Sequence, residues 1–235
     1  MGIANFAPSE RLFSRHIRPH NSTEKCFTFS EIWNLPQTWV EPVNTRNGGW
    51  SGVSRHEVII AGKRRQIYLK RQKGQFRRSA RSLLISRPTY WFEMKAIEYL
   101  RNRTPLPVEM LAYGEDDVLR GKKAFLVTAS LEGYTPLDEL IARSQRDHDI
   151  SHYLRLAFSS ISELHRLGIA HGALFANHIF INRDNDDVKL IDFERCRRRV
   201  SPEDAAKYDF SKFFRRDYGL SEEHKKVIVK ASLLN

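Results

Sequence analysis

The chain has 235 residues, 41% hydrophobic and 29% charged, enough for a full buried core and read as one folded unit of two lobes rather than independent domains. No apolar run approaches the roughly 18–20 residues that span a bilayer, and the N-terminus lacks the apolar core of a secretory signal, so a cytoplasmic location is expected. The net charge of +11 implies an anionic partner, and Cys26 and Cys196, far apart and without metal spacing, imply a reducing compartment with no structural disulfide.

Residues 1–38 mix arginine, histidine, proline and aromatics without a period and are read as an N-terminal arm carrying one short helix near Phe29 to Trp33. From Trp39 the pattern turns to strand and loop, and Gly48, Gly49 and Gly52 fall within five residues, followed by Val53. Glycines let backbone N–H groups approach phosphate oxygens with no Cβ in the way, and a valine after them can cover an adenine. His56 to Ala61 and Gln66 to Lys70 are strands around a Gly62-Lys63-Arg64 turn, and by period-two alternation Tyr68 and Lys70 share a face. Residues 72–87 form a basic insertion before Pro88, which is expected to open a helix running to about Arg101.

On that helix Glu93 shares a face with Ala96, Ile97 and Leu100. A carboxylate on an apolar face costs several kcal/mol unless a cation meets it, and Lys70 is the obvious cation. Pro105 and Pro107 end the helix and lead into strands near Glu109 to Tyr113 and Lys123 to Leu131, the second carrying Val127, Thr128 and Ala129 toward an adenine position. Thr135 is expected as N-cap and Pro136 as first residue of a short helix. Residues 149–167 space Ile150, Leu154, Ala157, Phe158, Ile161, Leu164 and Leu167 at three and four, a buried amphipathic helix closed by Gly168.

The stretch from His171 to Asp192 organises the rest. Ile179 to Asn182 and Val188 to Asp192 are apolar runs around the turn residues 183–187, a hairpin with His178 at its entrance and Asp192 at its exit. A histidine and a carboxylate at neighbouring strand ends can share one divalent cation. Two helices follow: Asp204 to Arg216 with Phe210, Phe213 and Phe214 as core face, and Ser221 to Leu234 capped by Ser221 with Glu222 and Glu223 in its first turn.

Laid on the protein-kinase pattern H-R-D-L-x-x-x-N, the loop places His171 at the histidine, Gly172 at the arginine, Ala173 at the catalytic aspartate and His178 at the asparagine. Ala173 cannot act as the base, a role worth on the order of 10²–10⁴-fold. His178 can still ligate a metal, and manganese suits an imidazole better than magnesium does. Asp192-Phe193-Glu194 keeps the carboxylate of Asp-Phe-Gly and loses its glycine.

Through Gly48-Gly49-Trp50-Ser51-Gly52-Val53, Tyr68-Leu69-Lys70-Arg71-Gln72, Glu93, His171, His178-Ile179-Phe180 and Ile191-Asp192-Phe193-Glu194, residues 40–220 resemble the Kdo/heptose kinases of the lipopolysaccharide core of Gram-negative bacteria, most closely an InaA-like branch. The resemblance implies an α+β, protein-kinase-like bilobal fold: an antiparallel-sheet N-lobe over 39–131 with one C-type helix, and a truncated helical C-lobe over 132–235. It further implies ATP with Mg or Mn as cofactors, held by Gly48, Gly49, Gly52, Val53, Lys70, Glu93 and Thr128, with His178 and Asp192 at the metal and His171 and Asp192 in the catalytic set. Asp209 is placed to brace the catalytic-loop backbone.

The implied reaction is phosphate transfer to a sugar hydroxyl of an anionic glycolipid or sugar phosphate at the inner-membrane face. Ala173 opens a second reading, a pseudokinase serving as a nucleotide-responsive binding or stress-response module. A third, nucleic-acid binding through the basic surface, ranks below both for want of an RNP pattern, a helix-turn-helix or a zinc finger. Arginine and lysine crowd into residues 63–87 and again at Arg195, Arg197, Arg198 and Arg199, each singly read as solvated charge. The acceptor sugar and the oligomeric state stay open.

Overall fold

The computed structural model describes residues 4–6, 28–46, 48–60, 63–79, 82–116, 123–144 and 150–233. Most of the expected N-terminal arm, Cys26, Asn47 of the glycine loop, Gly62 of the first turn and Arg81 of the basic insertion lie outside the described residues. Two compact units result, one from the described residues of Met1–Met94 and Glu109–Glu132, the other from those of Lys95–Val108 and Gly133–Asn235.

The first unit is a six-stranded sheet. Its elements in chain order are β1 (Ala4–Phe6), α1 (Phe29–Trp33), β2 (Asn44–Arg46), β3 (Gly49–Ile60), β4 (Lys63–Lys73), β5 (Phe76–Ser79), β6 (Ser82–Pro88), α2 (Thr89–Leu100, which runs on into the second unit), β7 (Met110–Asp116) and β8 (Lys123–Ala129). The order is β1-β3-β4-β8-β7, with β2 also on β3, and every pairing is antiparallel except the three-residue β1 on β3. Alternation divides the sheet's two faces. Val58, Ile60, Ile67, Leu69, Phe125 and Val127 pack with Ile32 of α1 in one core, while Leu126 packs with Tyr113 and with Tyr90 and Met94 of α2 in another. A capping box starts α1: Thr28 Oγ1 accepts the Glu31 N–H at 3.2 Å and Glu31 Oε2 accepts the Thr28 N–H at 2.8 Å.

Within the basic insertion β5 and β6 pair as an antiparallel ribbon, with Phe76 opposite Pro88. Pro88 therefore ends a strand instead of opening the helix, and α2 starts at Thr89. A proline is tolerated at the end of an edge ribbon, where its missing N–H costs no ladder bond.

The second unit contains β9 (Tyr134–Pro136), α3 (Leu137–Ser144), α4 (Ile150–Arg166), β10 (Ile169–Ala170), β11 (Ile179–Asn182), β12 (Val188–Leu190), β13 (Arg197–Arg198), α5 (Pro202–Phe213) and α6 (Glu222–Leu233). Thr135 and Pro136, expected to begin a helix, pair instead with Ile181 and Phe180 of β11, and the cross-strand pairing holds them extended until Leu137. The fully buried Leu154, Ala157, Phe158, Ile161 and Leu164 make α4 the centre of the unit. Phe213 of α5 meets Phe158 edge-on at 4.9 Å. In α5 the buried stripe is Ala205, Asp209 and Phe213, four residues apart, so Phe214 falls one step off that stripe and is 37% exposed rather than core.

Gly168, at φ +66°, turns the chain out of α4 into β10, and β11 and β12 close the hairpin with Ile179 opposite Leu190. That hairpin sets His178 and Asp192 at neighbouring ends.

Candidate functional site

In the first unit, register decides which side chains meet. Val53, Lys70 and Leu126 are direct cross-strand partners, as are Tyr68 and Thr128, so Val53, Lys70 and Thr128 share the face that carries α2. Glu93 comes from the buried side of α2 and is wholly enclosed. Lys70 Nζ donates to both its oxygens, at 2.7 Å and 3.0 Å, and keeps 13% of its own side chain exposed. The ammonium thus stays within reach of an anion while its carboxylate is desolvated, the arrangement in which a charge pair is held most firmly.

The glycines have local reasons of their own. Gly48 sits at φ +74° with open space where a Cβ would be. A Cβ at Gly49 would lie 2.6 Å from the Lys73 carbonyl and the Gly74 backbone, and one at Gly52 would lie 2.7 Å from the Trp39 ring. Gly52 pairs with Arg71 and so faces the α1 side, away from Lys70. Its missing side chain makes room for an indole.

In the second unit the loop from His171 to His178 is fastened by one carboxylate. Asp209, buried on α5, accepts the N–H of His171 at 2.7 Å, the N–H of Gly172 at 2.8 Å and His165 Nε2 at 3.0 Å. Gly172, at φ +81°, lies so close to the Arg195 carbonyl that a Cβ would stand 2.2 Å from it. The loop is pressed against the segment after Asp192, and only glycine fits.

His171 is fully enclosed: Nε2 donates to the Ile191 carbonyl at 2.9 Å, the ring lies 4.7 Å from Phe193, and Nδ1 has no hydrogen-bond partner among the described residues. Burial holds its pKa below the ordinary histidine value, so the ring is neutral. The side chain fixes the carbonyl immediately before Asp192 and presents nothing to the outside.

His178 Nδ1 donates to the Ala173 carbonyl at 2.8 Å, which turns Nε2 toward Asp192 Oδ2, 3.7 Å away. Asp192 holds a left-handed backbone, φ +69°, a region that residues other than glycine adopt rarely, asparagine and aspartate more readily than most. An imidazole nitrogen and a carboxylate at this separation suit a shared divalent ion. Among the described residues no group of three or more His, Cys, Asp or Glu is placed to hold a metal. Magnesium is commonly bound by one or two carboxylates with the remainder from water and phosphate, and the imidazole beside Asp192 suits manganese better. Ala173 is 5% exposed and contributes its carbonyl, and the loop's other polar side chain, Asn177, accepts from Arg216 Nη1 at 3.3 Å.

The motif around Lys70 includes Arg71 and Gln72 without giving either a role, and both are structural. Arg71, fully buried, donates to the carbonyls of Trp33 (2.9 Å), Leu35 (2.6 Å) and Pro36 (3.0 Å) and to Ser54 Oγ (2.9 Å), with the Trp39 ring 5.0 Å from its guanidinium carbon. Gln72 Oε1 accepts Thr89 Oγ1 at 2.6 Å and the Tyr90 N–H at 3.0 Å, so a strand side chain caps the first turn of α2. Gln72 is two residues from Lys70 and Thr89 is four from Glu93. Two strand residues span about 6.7 Å and four helical residues about 6 Å, so the two contacts register α2 against β4. Strand parity was the available signal: 67, 69 and 71 face one way, 70 and 72 the other.

A bilobal kinase-like fold with a lysine–glutamate pair, a histidine–aspartate hairpin and a carboxylate-braced loop defines a kinase class. The chain belongs to the lipopolysaccharide kinase (Kdo/WaaP) family, whose pattern matches residues 30–231. Among curated proteins it is similar to Protein InaA of Escherichia coli (strain K12), 27% identical over 192 residues, which cover 77% of this chain and 84% of that protein. Among solved structures it resembles WaaP in complex with acyl carrier protein, with a TM-score of 0.58 and 18% identity over 88% of this chain and 82% of that one. That likeness speaks for the fold alone.

Proposed function

We propose that this chain binds ATP with a divalent metal and transfers the γ-phosphate, slowly, to a sugar hydroxyl of an envelope glycolipid. The observation that carries the reading is the Lys70–Glu93 pair, an ammonium kept partly open and oriented by an enclosed carboxylate. Lys70 supplies positive charge to the nucleotide phosphates, Gly48 offers backbone free of a Cβ, and Val53 and Thr128 on the same sheet face line the base. His178 and Asp192 would hold the metal, which supplies neutralisation of phosphate charge when bound. His171 and Asp209 are positioning residues that fix the backbone on either side of that pair.

Phosphoryl transfer runs on positioning and electrostatics more than on proton abstraction. Alanine at 173 therefore lowers the rate, by about 10²–10⁴-fold, without removing the site. A second reading draws on the same residue: a pseudokinase whose nucleotide switches a binding surface. No helix among the described residues is long and apolar enough to cross a membrane.

The two readings separate in one set of measurements: ATP affinity, and turnover with lipopolysaccharide core supplied, on wild type, Lys70→Ala, Asp192→Ala and Ala173→Asp. The transferase reading expects slow wild-type turnover, raised by Ala173→Asp and lost in Asp192→Ala. ATP binding with no turnover in wild type selects the pseudokinase. Undiminished ATP affinity in Lys70→Ala defeats both.

A further inference from the structure

The antiparallel pair β10–β13 sets Ile169 opposite Arg198 and Ala170 opposite Arg197, and one step outward the Arg199 N–H donates to the Gly168 carbonyl at 2.8 Å. The next residues outward on the two chains are Leu167 and Val200, 38% and 97% exposed. Single exposed apolar side chains are ordinary, but two at one ribbon tip between cations are not.

Side chains leave a strand on alternate sides, so Arg197 and Arg198 flank the tip, and each rests on a tyrosine. Arg198 lies 5.1 Å from the Tyr99 ring and donates to its hydroxyl at 2.6 Å, with Arg103 4.0 Å from the same ring. On the other side Arg197 is 5.2 Å and Lys212 5.0 Å from the Tyr208 ring. The opposing charges nearby are Asp204, paired with Arg199 at 2.9 Å, Glu194, 3.5 Å from Arg195, and the exposed Glu203. Among the described residues no carboxylate pairs with Arg103, Arg197, Arg198 or Lys212. These cations are already ordered by aromatic rings, so capturing anions freezes little further motion.

We propose that this ribbon tip is a docking surface for an anionic phospholipid bilayer, with Val200 and Leu167 entering the headgroup layer and the flanking cations binding lipid phosphates. An exposed apolar pair flanked by exposed arginines suits a soft, laterally uniform surface. A protein partner would instead require a broad complementary face, on the order of 800 Å².

The test is sedimentation of the full chain with phosphatidylglycerol–phosphatidylcholine vesicles and with phosphatidylcholine alone, without nucleotide, so failure here leaves the ATP reading untouched. Each basic residue at an anionic surface contributes about five-fold, so Arg197→Gln with Arg198→Gln should weaken binding about 20–30-fold. Lys226→Gln with Lys230→Gln, the same charge removed from exposed positions on α6, should cost far less, and Arg197→Lys with Arg198→Lys should retain binding. The emission that Val200→Trp adds over wild type should move to shorter wavelength when the anionic vesicles are added. No vesicle binding, equal weakening by the α6 pair, or binding without that shift would each overturn the proposal, the first outcome pointing to an acidic macromolecule instead.

Discussion

Replacing Lys70 by methionine removes the cation that meets Glu93 at two oxygens while keeping most of the stem's volume. Breaking a buried pair from one side costs about 3–5 kcal/mol, because the remaining charge loses its compensation inside the protein. Lys70 retains some access to water, so the lower end, about 3 kcal/mol, is expected. For a chain of this size that corresponds to a fall in melting temperature of about 6–12 °C. Exchanging both partners, Lys70→Met with Glu93→Leu, should return most of the lost stability, since apolar residues of similar volume commonly replace such a pair at little cost. Thermal unfolding of the three variants gives the energies, and nucleotide titration of the double variant separates fold from function. A stable double variant that no longer binds ATP is the expected result. Melting of Lys70→Met at the wild-type temperature would show that Glu93 is not desolvated, and full ATP affinity in the double variant would remove the pair from the nucleotide site.

Gly172→Ala combines a left-handed backbone with a Cβ 2.2 Å from a main-chain oxygen, and should cost about 3 kcal/mol or more, read from urea midpoints; a shift below half of that would mean the loop can back away. Gln72→Leu leaves the Tyr90 N–H without the acceptor that caps α2 and should cost about 1–3 kcal/mol, with slower hydrogen exchange at that amide counting against the assignment. Burial lowers the pKa of His56, with Arg71 adding to the effect, and burial lowers that of His171. Each folded pKa lies below the unfolded value of 6.5, so in the window between them the unfolded chain binds more protons. Stability is complete above 6.5 and falls as pH drops through that window, and His56→Gln should flatten part of the slope in denaturation midpoints. An unchanged slope would refute the assignment to His56.

What could be read in advance followed from local periodicity. Glu93 betrays itself as a carboxylate at apolar helical spacing, and His178 and Asp192 as residues bounding two short apolar runs. The starts of α3 and α2 escaped the same reasoning because their determinants lie elsewhere in the chain. Thr135 and Pro136 have good helix-start chemistry, and β11, more than 40 residues on, overrides it by pairing. The cap of α2 is a glutamine 18 residues before Tyr90. The acceptors of Arg71 lie 35 to 38 residues before it, and carbonyl positions leave no trace in side-chain identity. The glycines signal that a Cβ is excluded, and at Gly49 and Gly52 the excluding atoms belong to the protein itself.

The guanidinium of Arg71 grips the strip from Trp33 to Pro36 by main-chain oxygens, which are the same whatever residues carry them. Composition there is free to drift; spacing is not. One residue gained or lost between Trp33 and Trp39 would slide a carbonyl out of line and leave a cation facing carbon in the interior. Aligned relatives that keep this arginine should differ in the letters of that strip and agree in its length.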